Sequence, residues 1–318
     1  MNLNRKEFLR TLALAGTAAA TGSWNGLKVL AQTSEKKAED IELVAVLGGE
    51  PDVMLQKALE KFGGIRKFVK SGQTVVVKPN IGWARTPEFA ANTHPLLIKE
   101  LIKQCYAAGA KKVTVFDRTC NDMEVCYKLS GIEAAVKEAG GEIVPSDWEE
   151  YYAEVELPKG VKLKKTKIHK ALLDADIWFN VPVLKAHSGA GLTIALKNYL
   201  GIVWDRQAFH RTDLQQTIAD VATWEKRPVL NIVDSYRLLK AHGPSSGDIS
   251  DAVLVKSLFM SPDIVAVDTA ALNLFNQVAE KQGFDKKELS RVSHIQHAQD
   301  LKLGTTDLKS LKVESIRS

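Results

Sequence analysis

The stretch that most constrains this chain is residues 177–201, which read IWFNVPVLKAHSGAGLTIALKNYLG. Its first part, residues 177–184, is apolar except for Asn180, and such a run predicts a strand that is buried on both faces of a sheet. The run ends in Lys185 and His187, two side chains that are costly to bury without a partner. The stretch therefore predicts the end of an interior strand that faces a ligand.

A loop of small residues and a helix-like segment follow this strand. Residues 188–191 contain Gly189 and Gly191, and the next segment carries Lys197 and Asn198. A strand, a glycine-rich turn and a helix in this order bring backbone N–H groups and the positive end of a helix dipole together. We therefore predict that an anion binds at this turn.

Short apolar strands alternate with helix-like segments along the rest of the chain. Strands are predicted near residues 41–47, 74–77, 112–116, 142–145, 229–233 and 253–260, and helices near 51–62, 94–108, 132–139, 213–224 and 262–278. This alternation is typical of an α/β protein. We predict three layers, a mostly parallel sheet with helices on both faces, in a single domain over residues 41–318.

One region interrupts the alternation. Residues 151–157 and 161–168 alternate apolar and polar side chains on either side of Pro158-Lys159-Gly160. Alternation around such a turn predicts a β-hairpin, which we place as an insertion in the α/β domain.

The N-terminus carries much of the positive charge. The whole chain has a net charge of +5, but residues beyond 31 hold 39 basic and 37 acidic side chains. A nearly balanced main part is not typical of a nucleic-acid-binding protein. We therefore expect no nucleic-acid partner.

The first 31 residues resemble a twin-arginine export signal. The sequence Asn4-Arg5-Lys6-Glu7-Phe8-Leu9-Arg10 precedes a modestly apolar segment at 11–21, with Lys6 at the place of the second arginine. Ala31 offers the small residue that a signal peptidase requires, and the apolar segment is too short to cross a bilayer. We predict a signal peptide at 1–31, a linker at 32–40 and a periplasmic protein with no membrane span in its mature part.

Polar side chains directly follow several of the predicted strands. In open parallel sheets, ligands bind beyond the carboxyl ends of the strands. Burying each such group without a partner costs roughly 1–3 kcal/mol. Together these groups predict one cleft at the strand ends: Lys78 and Asn80, Asp117 and Arg118, Lys185 and His187, and Asp234.

The residue types at these strand ends indicate their roles. Lysines neutralise a carboxylate or phosphate, and a histidine transfers a proton or binds a metal. We predict that His187, Lys185 and Asp234 are catalytic, and Lys185 is also able to form a Schiff base. Asp234 equally fits a residue that only holds a loop. The predicted ligand- or cofactor-binding residues are Lys78, Asn80, Gly189, Gly191, Lys197 and Asn198.

Common cofactor and catalytic motifs are missing from the sequence. Neither a phosphate-binding G-x-x-x-x-G-K-[ST] loop nor a G-x-G-x-x-G fingerprint is present, and H-E-x-x-H is missing as well. The cofactor and the metal, if one is used, are therefore unassigned. Cys120 and Cys126 remain open as metal ligands, a disulfide or structural residues, of which the structural role is favoured.

Five motifs, in order, resemble those of the domain of unknown function 362 family. They are VKPN at 77–80, NVPVLKAH at 180–187, ALKNYLG at 195–201, Val233-Asp234 with the later Gly243-Pro244, and DIVAVD at 263–268. The resemblance implies a motif set but no general activity. The set is Lys78, Asn80, Lys185, His187, Lys197, Asn198, Asp234 and Asp268. Many members carry a ferredoxin-like segment with C-x-x-C-x-x-C-x-x-x-C spacing, which this sequence lacks, so no cluster is carried over.

Three functions fit these observations. The first is an enzyme that acts on a small anionic substrate, with a metal or redox link and a redox partner left open. The second is a solute- or cofactor-binding protein without turnover. The third is an accessory protein for metals or iron–sulfur clusters, which requires Cys120 and Cys126 to lie beside His187 or His242.

Cell fractionation tests the export prediction. We expect the protein in the periplasm, shortened by about 31 residues because the signal peptide is removed. Replacing Arg5 and Lys6 with glutamine should retain the full-length chain in the cytoplasm, whereas the same change at Lys36 and Lys37 should have no effect. A full-length wild-type chain in the cytoplasm would contradict the prediction.

Overall fold

A central sheet runs through the protein in the computed structural model, which describes residues 41–318. The predicted export signal and linker lie outside the described residues. The strands of this sheet are β1 Leu43–Leu47, β2 Thr74–Pro79, β3 Lys112–Val115, β4 Glu142–Ile143, β7 Ile177–Val181, β8 Val183–His187, β9 Gly191–Thr193, β10 Leu230–Leu239, β11 Ala252–Ser261 and β12 Val313–Arg317. A separate hairpin is made by β5 Tyr152–Glu156 and β6 Lys165–His169.

The sheet is mixed but mostly parallel, as predicted. Its order is β12-β1-β11-β10-β7-β2-β3-β4, with β8 added beside the later part of β10 and β9 beside β8. Strand β11 is antiparallel to both neighbours, and β8–β9 is an antiparallel hairpin. Strands β10, β7, β2, β3 and β4 run parallel, so their carboxyl ends lie at one edge.

Helices cover both faces of this sheet. They are α1 Pro51–Lys61, α2 Pro95–Ala107, α3 Met123–Leu129, α4 Ile132–Glu138, α5 Lys170–Asp174, α6 Ala195–Asn198, α7 Gln207–Arg211, α8 Leu214–Val221, α9 Ile264–Gln282 and α10 His294–Asp300. Short 3₁₀ helices span Ile65–Lys67, Pro87–Phe89, Glu149–Tyr151, Tyr199–Gly201, Ile249–Asp251 and Leu289–Val292. None of the helices within residues 41–318 has the length and apolar character that a membrane crossing requires.

Two separate apolar cores show that the fold has the predicted three layers. On one face, α1 and α2 bury residues such as Leu55 and Leu101 against the sheet. On the other face, α9 buries residues such as Phe275 together with α6, α8 and α10. Each strand residue contributes to one core or the other according to the alternation of the strand.

The inserted hairpin is confirmed, and a buried carboxylate fixes its turn. Strands β5 and β6 pair from Tyr152 opposite His169 to Glu156 opposite Lys165. The Asp220 carboxylate on α8 is fully buried and accepts the backbone N–H groups of residues 161, 162 and 163 at 2.7–2.8 Å. The hairpin is therefore anchored to the helical layer by a charge-assisted cluster of hydrogen bonds.

The predicted strand, turn and helix at 177–201 are wrong in detail. Pro182 separates β7 from β8, and β8 continues into a tight hairpin with β9 before α6 begins. Gly191 adopts φ +76°, and a Cβ there would lie 2.3 Å from the carbonyl oxygen of Arg291. The N–H groups at the start of α6 are not open to a ligand anion, because those of Ala195 and Leu196 donate to the Asp268 carboxylate at 2.7 and 3.0 Å.

Removing the Asp220 carboxylate should destabilise the protein. We expect Asp220→Ala to lower the free energy of unfolding by about 3 kcal/mol, because three part-buried backbone N–H groups lose a buried charged acceptor. The measurement is urea unfolding, with Asp300→Ala as the control because Asp300 is exposed. Equal stabilities of the two variants would contradict the anchoring role.

Candidate functional site

A cavity of about 370 Å³ lies beyond the carboxyl ends of β2 and β3 and beside β8. The elements around it are the loops after β2 and β3, the β8–β9 hairpin, the segment 197–210 and the loop at Pro244. Its lining residues are Asn80, Gly82, Trp83, Asp117, Arg118, Cys120, Lys185, His187, Ser188, Thr193, Lys197, Leu200, Gly201, Arg206, Gln207, His210 and Pro244. The predicted cleft at the strand ends is therefore present.

Lys78 lies under this cavity as a fully buried and fully paired cation. Its Nζ is 2.8 Å from Oδ1 of Asp117 and donates to Oδ1 of Asn198 at 2.7 Å and to the Pro79 carbonyl at 2.8 Å. The second oxygen of Asp117 accepts the N–H of Ile81 at 2.6 Å. Burial lowers the pKa of Lys78, and the charge of Asp117 opposes that effect. Lys78 therefore supports the site rather than offering a free charge to a ligand.

A chain of buried asparagines links Lys78 to the strands of the sheet. Asn198 accepts from Lys78 and from Nδ2 of Asn80 at 3.1 Å, and it donates to Oδ1 of Asn180 at 2.8 Å. Asn180 donates in turn to Oδ1 of Asn231 at 2.9 Å. Amide groups both donate and accept, so each member orients the next. The predicted site residues Lys78, Asn80 and Asn198 are thus brought together.

Lys185 is equally buried but has no carboxylate partner among the described residues. Only 1% of this residue is exposed, and its Nζ donates to Oδ1 of Asn80 at 2.7 Å and to the carbonyl of Ala91. Both acceptors are uncharged. Burial lowers the pKa of Lys185 to about 7, with Lys197 and Lys78 adding to the shift. Near neutral pH a large share of this side chain is therefore the free amine.

Lys197 presents a charge to the cavity without a partner. Its side chain lies half-buried in the cavity wall, and within residues 41–318 it makes no hydrogen bond or ion pair. Burial lowers its pKa to about 8, and Arg206 and Lys78 contribute to the lowering. An ammonium group in this position requires an anion or water as its partner.

Two arginines, Arg118 and Arg206, add positive charge to the cavity wall. The Arg118 guanidinium lies 4.1 Å from the ring centre of Trp204, and its Nε is buried without a hydrogen-bond partner in the described part of the chain. Arg206 donates to the carbonyls of Arg118 and Thr119 and to Sγ of Cys120 at 3.2 Å. Asp117 is the acidic member of the lining, and Lys78 already neutralises it. The cavity as a whole therefore favours a negative ligand.

His187 lies on the cavity wall as a neutral imidazole. Its Nδ1 accepts the N–H groups of Gly189 and Ala190, both at 3.1 Å, so its proton is on Nε2. Burial lowers the pKa of His187 to about 2, and the charges of Lys197 and Lys185 act in the same direction. This geometry suits a hydrogen-bond donor to a ligand oxygen through Nε2.

The structure does not bring Asp234, Gly189 or Gly191 to the cavity. Asp234 is buried in β10, where its carboxylate accepts the N–H groups of His94 at 2.7 Å and Tyr236 at 2.9 Å. Gly189 uses its N–H on His187, and Gly191 pairs with His187 in the β8–β9 hairpin. We therefore assign these three residues to positioning the backbone and not to contact with a ligand.

The three cysteines differ in their exposure. Cys120 is an exposed thiol on the cavity wall, whereas Cys105 and Cys126 are buried in the core. Burial raises the pKa of Cys105 to about 12 and that of Cys126 to about 11. No group of three or more His, Cys, Asp or Glu side chains in residues 41–318 is arranged to hold a metal ion. The shared site for Cys120 and Cys126 that the accessory-protein hypothesis requires is not formed.

Several of the residues that line the cavity were not predicted from the sequence. Trp83, Arg206 and His210 reach the cavity from segments with no strand-end signal. The loop after β10 contributes Pro244 to the wall, and Arg85 holds this loop by donating to the carbonyls of Ser245 and Ser246. A run of charged residues at 204–211 next to the ALKNYLG motif was the one signal for Arg206.

The lowered pKa of Lys185 predicts a pH-dependent stability. The unfolded lysine titrates near 10.4, so between about pH 7 and 10 the unfolded chain binds a proton that the folded chain does not. Stability must then rise with pH. From pH 7 to pH 9 we expect the unfolding free energy of wild type to rise by about 2 kcal/mol relative to that of Lys185→Met, so the gap between them should change by this amount.

Urea unfolding at several pH values measures this gap. Lys103→Met is the control, because Lys103 is exposed on α2. A constant gap for Lys185→Met would mean that the folded state keeps the ordinary pKa of lysine.

Comparison with known proteins places the chain among relatives. A family model described as domain of unknown function (DUF362) matches residues 75–273. The thylakoid-associated protein sll1697 of Synechocystis sp. is 25% identical over 226 residues, which cover 67% of this chain and 66% of that protein. The lactate racemase apoprotein from Thermoanaerobacterium thermosaccharolyticum matches 74% of this chain and 58% of that chain, with a TM-score of 0.46 and 15% identity.

The chain thus spans 66% and 58% of the lengths of these two proteins. The matched residues 75–273 contain Lys78 and the cavity residues Lys185 and Lys197, and the match confirms the family resemblance seen in the sequence motifs. Because the family model matches more than half of the chain, the protein belongs to the domain of unknown function family DUF362.

Proposed function

We propose that this protein is an enzyme that binds a small anionic compound in the strand-end cavity and acts on it there. The observation that carries the proposal is the ammonium of Lys197, which faces the cavity and makes no hydrogen bond or ion pair within the described residues. A charge without a partner at the wall of a cavity is favourable only when an anion or solvent neutralises it.

The size and lining of the cavity support a small ligand. A volume of about 370 Å³ is at the lower end of the range for sites that bind small molecules. Arg118 and Arg206 supply further positive charge, and Nε2 of His187 supplies a neutral donor. A carboxylate or phosphate group would meet both kinds of group in this cavity.

Turnover, rather than binding alone, is supported by Lys185. A binding site needs its lysines charged, but burial beside neutral acceptors holds the pKa of Lys185 at about 7. Lysines with lowered pKa values are typical of nucleophiles and general bases. A solute-binding protein without turnover would gain nothing from this feature, so we place that alternative second.

We also propose that the protein works outside the cytoplasm, on the pattern of residues 4–31. Export would give this cavity access to periplasmic anions. This proposal is independent of the cavity and is tested by the fractionation experiment given above.

The exposed thiol of Cys120 allows a test that needs no knowledge of the substrate. The test compares the rate of alkylation by anionic iodoacetate with the rate by neutral iodoacetamide. At low ionic strength we expect the ratio of these rates to be about tenfold higher for Cys120 than for free cysteine, because the cavity concentrates anions. The ratio of the two rates cancels the thiolate fraction. Peptide mapping separates Cys120 from the two buried cysteines.

Variants identify the source of the effect. Lys197→Gln should bring the rate ratio close to that of free cysteine, and the ratio in wild type should fall as pH rises through 8, where Lys197 loses its proton. Lys103→Gln, the same change at an exposed position on α2, should leave the ratio unchanged. A wild-type ratio equal to that of free cysteine would overturn the anion site.

A further inference from the structure

We propose that the Lys185 amine forms an imine with a small oxo acid whose carboxylate is held by Lys197. This inference rests on the proposed anion site and names the class of compound that the site takes, a short carboxylate with a carbonyl group next to or near it.

Lys78 and Lys185 differ in the charge of their hydrogen-bond partners. Both ammonium groups are buried within one hydrogen-bonded network, but Lys78 has Asp117 at 2.8 Å, whereas Lys185 has the neutral oxygens of Asn80 and Ala91. A carboxylate keeps an ammonium charged, and neutral acceptors in a buried site do not. The chain therefore holds one lysine as a cation and the other as an amine.

The hydrogen bonds of Lys185 also orient its amine. A neutral amine has two N–H bonds and one lone pair, and the two acceptors use both N–H bonds. The remaining direction is that of the lone pair. Because Lys185 is part of the cavity wall, the nucleophilic electron pair is open to a compound in the cavity.

The remaining lining supplies what an oxo acid needs. Lys197 offers an unpaired positive charge for the carboxylate, and Nε2 of His187 carries a proton and has no protein partner in the described residues. A donor of this kind stabilises the negative charge that develops on a carbonyl oxygen under attack. Positive charge from two arginines further excludes neutral or cationic aldehydes as preferred ligands.

The step balances without an oxidant or a metal. The nitrogen lone pair of Lys185 forms a bond to the carbonyl carbon, and the π electrons of the C=O bond move to its oxygen. The two amine protons pass to that oxygen, and the C–O bond then breaks to release water. The products are one imine and one water from one amine and one carbonyl compound.

Reductive trapping tests the proposal on the wild-type protein. The protein is incubated at pH 7.5 with pyruvate, glyoxylate or 2-oxoglutarate and sodium cyanoborohydride, and peptides are mapped by mass spectrometry. We expect at least about tenfold more secondary amine on Lys185 than on exposed Lys103, because only a small fraction of an ordinary lysine is neutral at this pH. Methyl pyruvate, which lacks the charge, should label Lys185 less than pyruvate does.

Two variants separate the roles. Lys197→Gln should reduce labelling by pyruvate to the level of methyl pyruvate. Labelling by methyl pyruvate should fall much less, because it loses only the contribution of the Lys197 charge to the lowered pKa of Lys185. Lys185→Met should remove the adduct because it removes the amine, and the oxo acids should still protect Cys120 from iodoacetamide because Lys197 is retained.

The outcomes distinguish the imine proposal from the proposed anion site on which it rests. Labelling of Lys185 at the level of Lys103 by all three acids, with Cys120 still protected, would overturn the imine and leave the anion site standing. Neither labelling nor protection would overturn both. Labelling that is unaffected by Lys197→Gln would overturn the assignment of the carboxylate to Lys197.

Discussion

The burial of one ammonium group, that of Lys78, is the constraint on which the site depends. A lone buried cation is strongly unfavourable, so the chain must supply partners on every side. Asp117, Asn198 and the Pro79 carbonyl provide them, and they come from β2, from the loop after β3 and from α6. Even the backbone is fitted to this ion pair, since a Cβ at Gly201 would lie 1.7 Å from Oδ1 of Asp117. Fixing the pair thereby fixes three segments of the cavity wall.

Because Asp117 is paired with Lys78, Lys185 and Lys197 have no carboxylate partner among the described residues. Asn80 has one amide oxygen, which Lys185 takes, and its Nδ2 is committed to Asn198. No acidic side chain of the lining remains for Lys197. A single carboxylate among three neighbouring lysines thus leaves one structural ion pair, one lysine with a lowered pKa and one lysine without a hydrogen-bond or ion-pair partner in the described residues. This unequal division is what gives the site its chemical character.

The sequence predicted the layers and the strand-end site because both follow from local patterns. Parallel strands must place their carboxyl ends at one edge, so Asn80, Asp117 and Lys185 were expected to meet there, and they do. Asp234 was misplaced because β10 does not end at residue 233 but continues to Leu239, paired with β8 and β11. An apolar run shows where a strand is buried, but its length depends on partners far away in the chain. Arg206 was not predicted as a cavity residue for the same reason, because its position depends on tertiary packing.

The pairing of β1 bears on how the protein is made. Strand β1, at Leu43–Leu47, has as its neighbours β11 and β12, which end at Ser261 and Arg317. During translation this apolar strand therefore has neither hydrogen-bonding edge covered until more than 200 further residues have left the ribosome. The nascent chain must keep β1 from pairing with other polypeptides throughout that time. Completion of the sheet thus requires synthesis to pass residue 317, and any chaperone that protects the nascent chain should act on its first described strand.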